Sequence, residues 1–179
     1  IFLLTLFSVG IAIGSLLCKT LTKNQVSFHL LPYGLLGLSV FAMALYFSLN
    51  QLSLALPIWP YTVMDIIHQL QAWPVFIALF LLGFSGGVYI VPLYTAMQAY
   101  APIDHRSRIV GANNILNAIF MVISAIFSII ILAIIKLSLA QLFAITAILN
   151  AIFGLFLFLK LKKYDRTLPI HTDETAILP

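Results

Sequence analysis

Five long apolar stretches follow one another along this chain, and together they decide what it can become. They run roughly over residues 1–18, 29–49, 74–100, 109–135 and 139–159. A helix of about 20 apolar residues crosses the hydrocarbon core of a bilayer. Inside that core every backbone N–H and C=O must find its partner within the protein, which leaves helices or closed barrels. Barrel strands alternate apolar and polar residues, and these stretches do not. The reading is therefore an all-α integral membrane chain with five transmembrane helices. Composition agrees: 8% of the residues are charged, where a soluble domain carries about 25%. The third and fourth stretches exceed what the bilayer needs, so tilt or projection into the interface is expected.

The basic residues set the orientation. Lys19 and Lys23 follow the first stretch, Arg106 and Arg108 precede the fourth, and Lys160, Lys162, Lys163 and Arg166 follow the fifth. An odd number of spans puts these three regions on one side, the cytoplasmic one, with the C-terminus. Only Lys136 falls on the other side. The net charge of +4 thus sits beside membrane segments and not on one polar face, which argues against a nucleic-acid partner. Cys18 is the sole cysteine, so no intramolecular disulfide forms. No CxxC or HExxH pattern occurs, and neither a metal nor a cofactor is expected.

Between the second and third stretches, Pro57, Trp59 and Pro60 open a loop free of Lys and Arg. Val63, Ile66, Ile67 and Leu70 then recur at helical spacing, with Asp65, His68 and Gln69 opposite. This pattern predicts a short interfacial helix over about 61–72. Asp65 and His68, three apart, either pair or form a solvated face. The tail over 164–179 is polar and is expected to lack fixed structure. Ile1 lies within an apolar run, so the chain reads as one whose N-terminal part is missing.

Polar and helix-breaking residues at membrane depth are costly, so they mark candidate sites. They concentrate between Gly83 and Asn117. Gly83 and Gly87 form a GxxxG pair with Gly86 beside it, and Pro92 follows. Glycines at this spacing let another helix backbone approach, and a mid-helix proline removes a hydrogen bond. The pattern fits either a bending gate or static packing. Gly10 and Gly14 repeat the spacing in the first stretch. Tyr94 and Gln98 are four apart, as are Asn113 and Asn117, with Asn114 adjacent. These neutral groups fit a polar lining for a cavity or hydrogen bonds between packed helices. Asp104 is placed to cap the fourth helix. Arg106 and Arg108 fit contacts to lipid phosphate or to the carbonyl end of a neighbouring helix, beside their part in topology. No Asp, Glu, Lys or Arg lies in the central part of any stretch, so no obvious ion-coupling group is visible and the interior suits an amphiphilic substrate.

The stretch from Gly83 to Asn117 resembles a helix–loop–helix of the major facilitator superfamily. Gly87-Val-Tyr-Ile-Val-Pro92 nearly matches its G-x-x-x-P element, and Pro102-Ile-Asp-His-Arg106 its P-x-x-x-R turn. Gly14-Ser-Leu-Leu-Cys18-Lys19 is similar to the G-x-x-x-D-R/K loop, with Cys18 where the aspartate would stand. Gly86-Gly87-Val-Tyr-Ile-Val-Pro92-Leu93-Tyr94, Arg106-Ser-Arg108-Ile-Val-Gly-Ala-Asn113-Asn114-Ile-Leu-Asn117 and Leu31-Pro32-Tyr33-Gly34 resemble the bacterial lysophospholipid transporter family, including the form fused to an acyltransferase. The resemblance implies that residues 1–163 are part of a C-terminal half, helices 8 to 12 of a twelve-helix carrier in the bacterial inner membrane. It implies import of lysophosphatidylethanolamine, with Gly83, Gly86, Gly87, Pro92, Tyr94, Gln98, Asn113, Asn114 and Asn117 in binding or gating and Arg106 and Arg108 near the headgroup. Partners would be membrane lipids, the other half of the carrier and, in a fused form, the acyltransferase. A carrier of another hydrophobic drug or metabolite, or a membrane scaffold without transport, are the alternatives. None of His29, His68, His105 or His171 has Asp five residues later, so the HxxxxD motif of an acyltransferase is absent and no enzyme is expected.

Overall fold

The structure, a computed structural model, describes residues 1–21, 30–55 and 66–165. Over these residues the chain is all-helical, and five helices are long and apolar enough to cross a membrane. It is a multi-pass membrane protein in architecture. The helices are α1 (Phe2–Leu21), α2 (Leu31–Ala55), α3 (Trp73–Tyr100), α4 (Arg106–Ile129) and α5 (Leu139–Asp165). Lys23, Pro57, Trp59, Pro60, Tyr61, Val63 and Asp65 lie outside the described residues, as does the tail beyond Asp165. Of the segment expected as an interfacial helix, Ile66 and Ile67 form a helical turn. A 3₁₀ turn at Leu70–Ala72 then runs straight into α3.

α3 stands at the centre of the packing. Its start carries Pro74, whose missing N–H costs nothing in a first turn. Its end is set by Pro102. The residue before a proline is pushed to extended backbone, and Ala101 has φ −74°, ψ 127°. The helix continues through Pro92, which is buried and leaves one backbone donor out of the ladder.

The contact between α1 and α3 is made backbone to backbone. A Cβ at Gly10 or Gly14 would fall on the carbonyl oxygen of Phe80 or Phe84, and one at Gly83 or Gly87 on that of Phe7 or Ile11. The two GxxxG pairs therefore face each other, each lying in the groove of the other helix. In lipid no hydrophobic drive brings helices together, so this close approach is what holds the pair. Gly86 is different: it meets only the tip of Leu38 on α2, 3.9 Å away.

On the other side of α3, Gly34 of α2 lies against the backbone of Tyr89 and Gly37 against Ser85. Leu45 of α2, with Val75 and Ala78 of α3, forms a buried cluster to which Phe143 of α5 adds. α2 in turn holds α5, where Gly154 receives Leu35. The arrangement is thus α1, α3, α2 and α5 in packing order. α4 joins it only along its edge and buries none of its residues.

Hydroxyls within the spans are satisfied locally. Thr5, Thr20, Ser39, Ser48, Thr95, Ser128 and Thr146 each donate to the carbonyl four residues before. Such back-bonding keeps polar groups tolerable in lipid.

α4 ends in a π-helical turn, Ile130–Ile134, and then a tight corner. Lys136 takes a left-handed conformation with φ 61°, and Leu137 N–H donates to Ile131 O at 3.1 Å. α5 begins with a reciprocal cap. Ser138 N–H donates to Gln141 Oε1 at 2.8 Å, and Gln141 N–H to Ser138 Oγ at 3.2 Å. This is a capping box, legible in the sequence as Ser-Leu-Ala-Gln.

The reciprocal glycine contact makes a sharp forecast. Gly83→Ala should lower the melting temperature of the detergent-solubilised chain, at a cost of about 1–3 kcal/mol from overpacking. Gly86→Ala, with open space and a better helix former, should leave it unchanged or raise it. Equal losses at the two positions would contradict the packing.

Candidate functional site

The polar residues that the sequence singles out separate into two groups on α3, with Pro92 between them. Gly83 and Gly87 belong to the α1 contact. Tyr94 lies eleven residues from Gly83, about 16 Å along the helix. They are not parts of one pocket.

The second group forms a polar cluster between α3 and α4. Tyr94 Oη accepts a hydrogen bond from Asn113 Nδ2 and another from Asn117 Nδ2, each at 3.2 Å. Asn113 and Asn117 are one turn apart, so both amides reach one hydroxyl from the same face. Tyr94 and Asn113 are half-buried and Asn117 is exposed. With both amides donating, the hydroxyl keeps its own hydrogen to give, and each asparagine keeps its carbonyl oxygen as an acceptor. The cluster offers donors and acceptors but no charge. It can hold a polar or zwitterionic group by hydrogen bonds.

Gln98 and Asn114 are exposed, and no hydrogen bond joins either to the cluster. Asn114 is turned about 100° from Asn113 around α4. Arg106 Nε donates to Ala101 O at 3.3 Å. Ala101 closes α3, so this guanidinium sits at the negative end of that helix, one of the two roles the sequence allowed it. Arg108 is exposed.

One expectation fails here. Asp104 does not cap α4; the cap position is His105, whose side chain makes no capping bond. The reason is the turn that Pro102 starts. His105 N–H closes on Pro102 O at 2.9 Å, and Asp104 is held inside the resulting 3₁₀ turn, Ile103–His105, one residue early.

Two features escaped the sequence reading. Asn150, in the middle of α5, donates from Nδ2 to Leu35 O at 3.2 Å and to Ser39 Oγ at 2.9 Å, tying α5 to α2. A lone asparagine in an apolar span was the available signal. The other is a stripe on α4. At 3.6 residues per turn Asn113, Asn117, Ser124 and Ser128 fall within about 60° of one another, and bulky apolar residues fill the opposite face. Asn117 and Ser124 are exposed. Among the described residues no three His, Cys, Asp or Glu side chains come together as metal ligands.

Comparison with family models, with curated proteins and with solved structures gives no match for this chain.

If Tyr94 links α3 to α4 as described, Tyr94→Phe and Asn117→Leu should not be independent. A double-mutant cycle on the thermal stability of the detergent-solubilised chain should give a coupling of about 0.6–2 kcal/mol. Additive losses would remove the shared hydrogen bond from the account.

Proposed function

We propose that this chain is part of a membrane carrier of the major facilitator type and that the carrier moves lysophospholipid, foremost lysophosphatidylethanolamine. The observation that carries the reading is the neutral Tyr94–Asn113–Asn117 cluster, set between a proline-containing helix and a helix that buries nothing. A polar stripe on a transmembrane helix that no neighbour covers fits a helix lining a cavity. The resemblance of Gly83 to Asn117 to that family points the same way.

On this reading the five helices are helices 8 to 12 of twelve. α4 turns its stripe toward the substrate path, and its partner there is the other half of the carrier. The zwitterionic headgroup is held by hydrogen bonds, while the acyl chain stays against apolar helix surface. Alternating access comes from rocking of two halves. α3 bends at Pro92: the part from Gly83 to Gly87 stays fixed on α1, and the part carrying Tyr94 makes or releases its hydrogen bonds to α4. The membrane is the bacterial inner membrane, with the C-terminus on the cytoplasmic side by the charge bias.

The test is uptake of labelled lysophosphatidylethanolamine by spheroplasts expressing the carrier that contains this chain. Uptake should be competed by unlabelled lysophospholipid and not by a glycerophosphodiester. Asn113→Ala with Asn117→Ala should lower it about five- to thirty-fold at equal membrane abundance, the worth of one or two hydrogen bonds. Undiminished uptake takes the asparagines out of the site. No uptake by the parent, present in the membrane, discards the substrate.

A further inference from the structure

α4 reaches its corner through a change of pitch. Ile130 N–H reaches back to the carbonyls of Ile126 and Phe127, the ordinary helical ladder. Ile135 N–H instead donates to Ile130 O at 2.9 Å, one residue further back than an α-helix allows. A π-helical turn holds one residue more than an α-helical turn, and single π turns within helices collect at functional sites. If this turn tightens to α-helical pitch with the corner at Lys136 held, the surplus residue passes into everything before it. α4 then turns by one residue, about 100°, and advances by about 1.5 Å. Interlocked side chains normally forbid such a turn. α4 buries none of its residues, and a Cβ at Gly111 meets nothing within 4 Å, so no tight packing resists it here.

The sequence of α4 suits both settings. The turn brings each residue to the place its predecessor held. Asn114 arrives where Asn113 stood, and Ala118 where Asn117 stood. Asn114 is exposed and takes no part in the bonds to Tyr94 as α4 stands. An exposed amide within a span is costly. In the turned setting it has a use, because it keeps one donor on the Tyr94 hydroxyl. The terms oppose each other. The π setting holds Asn113 and Asn117 on Tyr94 and Arg106 on Ala101 O. The turned setting gives up the second amide and the Arg106 bond and regains α-helical hydrogen bonds in the last turn.

We propose that α4 is a helix with two settings: the Ile130–Ile134 turn passes between π and α pitch, and Asn113 and Asn114 alternate on the Tyr94 hydroxyl. One setting makes two amide bonds to Tyr94 and the other makes one, so neither strands the hydroxyl. The motion is a turn of α4 about its own axis. It follows from the pitch change, the uncovered helix and the adjacent asparagines, and it does not rest on the transport reading.

Paired spin labels read the turn by pulsed electron resonance on the chain in lipid nanodiscs, after Cys18→Ala removes the native thiol. One label is held at Leu16→Cys on α1, and the other is placed at Ile115→Cys or at Leu116→Cys, all three exposed positions. Asn113→Leu with Asn117→Leu removes the bonds of the π setting and should drive α4 into the turned one. A side chain about 5 Å from the helix axis then moves by about 8 Å. The label at Leu116→Cys should now read the distance that the label at Ile115→Cys reads with the asparagines in place. Deleting Ala133 takes the surplus residue out of the turn and should restore the original distance at Leu116→Cys. Asn113→Ala with Asn117→Ala, and deletion of Leu132, repeat the two steps should either variant not elute as a folded species. An unchanged distance at Leu116→Cys in the doubly substituted chain overturns the proposal. So does a shift that survives the deletion, which belongs to a swing of the whole helix.

Discussion

The approach of α1 to α3 sets the geometry of everything else. Four glycines remove the side chains that would hold the two backbones apart, and the carbonyls of Phe7, Ile11, Phe80 and Phe84 fill the space. In water such a pair would be a modest gain over leucine packing. In lipid, where apolar side chains are as content with tails as with each other, dispersion between closely packed atoms is most of what remains. Once α3 is fixed on α1, its opposite side is fixed too. Gly34, Gly37 and Leu45 bring α2 onto that side, and α2 brings α5.

α4 is the exception, and its isolation follows from its sequence. Its glycine, Gly111, has nothing within 4 Å, so it makes no close backbone approach. What ties it to the rest is polar: the Tyr94 hydroxyl against Asn113 and Asn117 in its first half, and the Arg106 guanidinium at its start. Hydrogen bonds of this strength break and re-form readily, whereas interlocked backbones do not. The molecule is therefore built from a tightly packed part and one loosely attached helix.

Much of the fold could be read from residues alone. The five spans follow from run length, and the end of α3 from Pro102. The paired GxxxG spacing indicated close packing but not its partner, because a motif fixes a face and not what meets it. Likewise the i, i+4 pairs Tyr94/Gln98 and Asn113/Asn117 located the polar cluster, while its membership depended on the crossing of α3 and α4, which places Tyr94 and not Gln98 opposite the amides. Asp104 was misjudged because a cap depends on register to one residue, and the proline turn shifted it. Asn150 was passed over for lack of polar neighbours in sequence. Its partners lie more than a hundred residues away, on α2.

The corner at Lys136 has a mechanical meaning. A left-handed residue, a π-helical turn and a reciprocal cap make the connection between α4 and α5 short, and a short connection favours rotation of α4 over sliding along its axis. With no buried residue to hold it, α4 is placed to swing about that corner like a lever pinned at the end. Asn113 lies 23 residues from Lys136, an arm of about 35 Å. A swing of about 5° carries it about 3 Å, enough to part the amides from the tyrosine hydroxyl. A small angular change at one membrane surface is thereby converted into the making or breaking of two hydrogen bonds near the other.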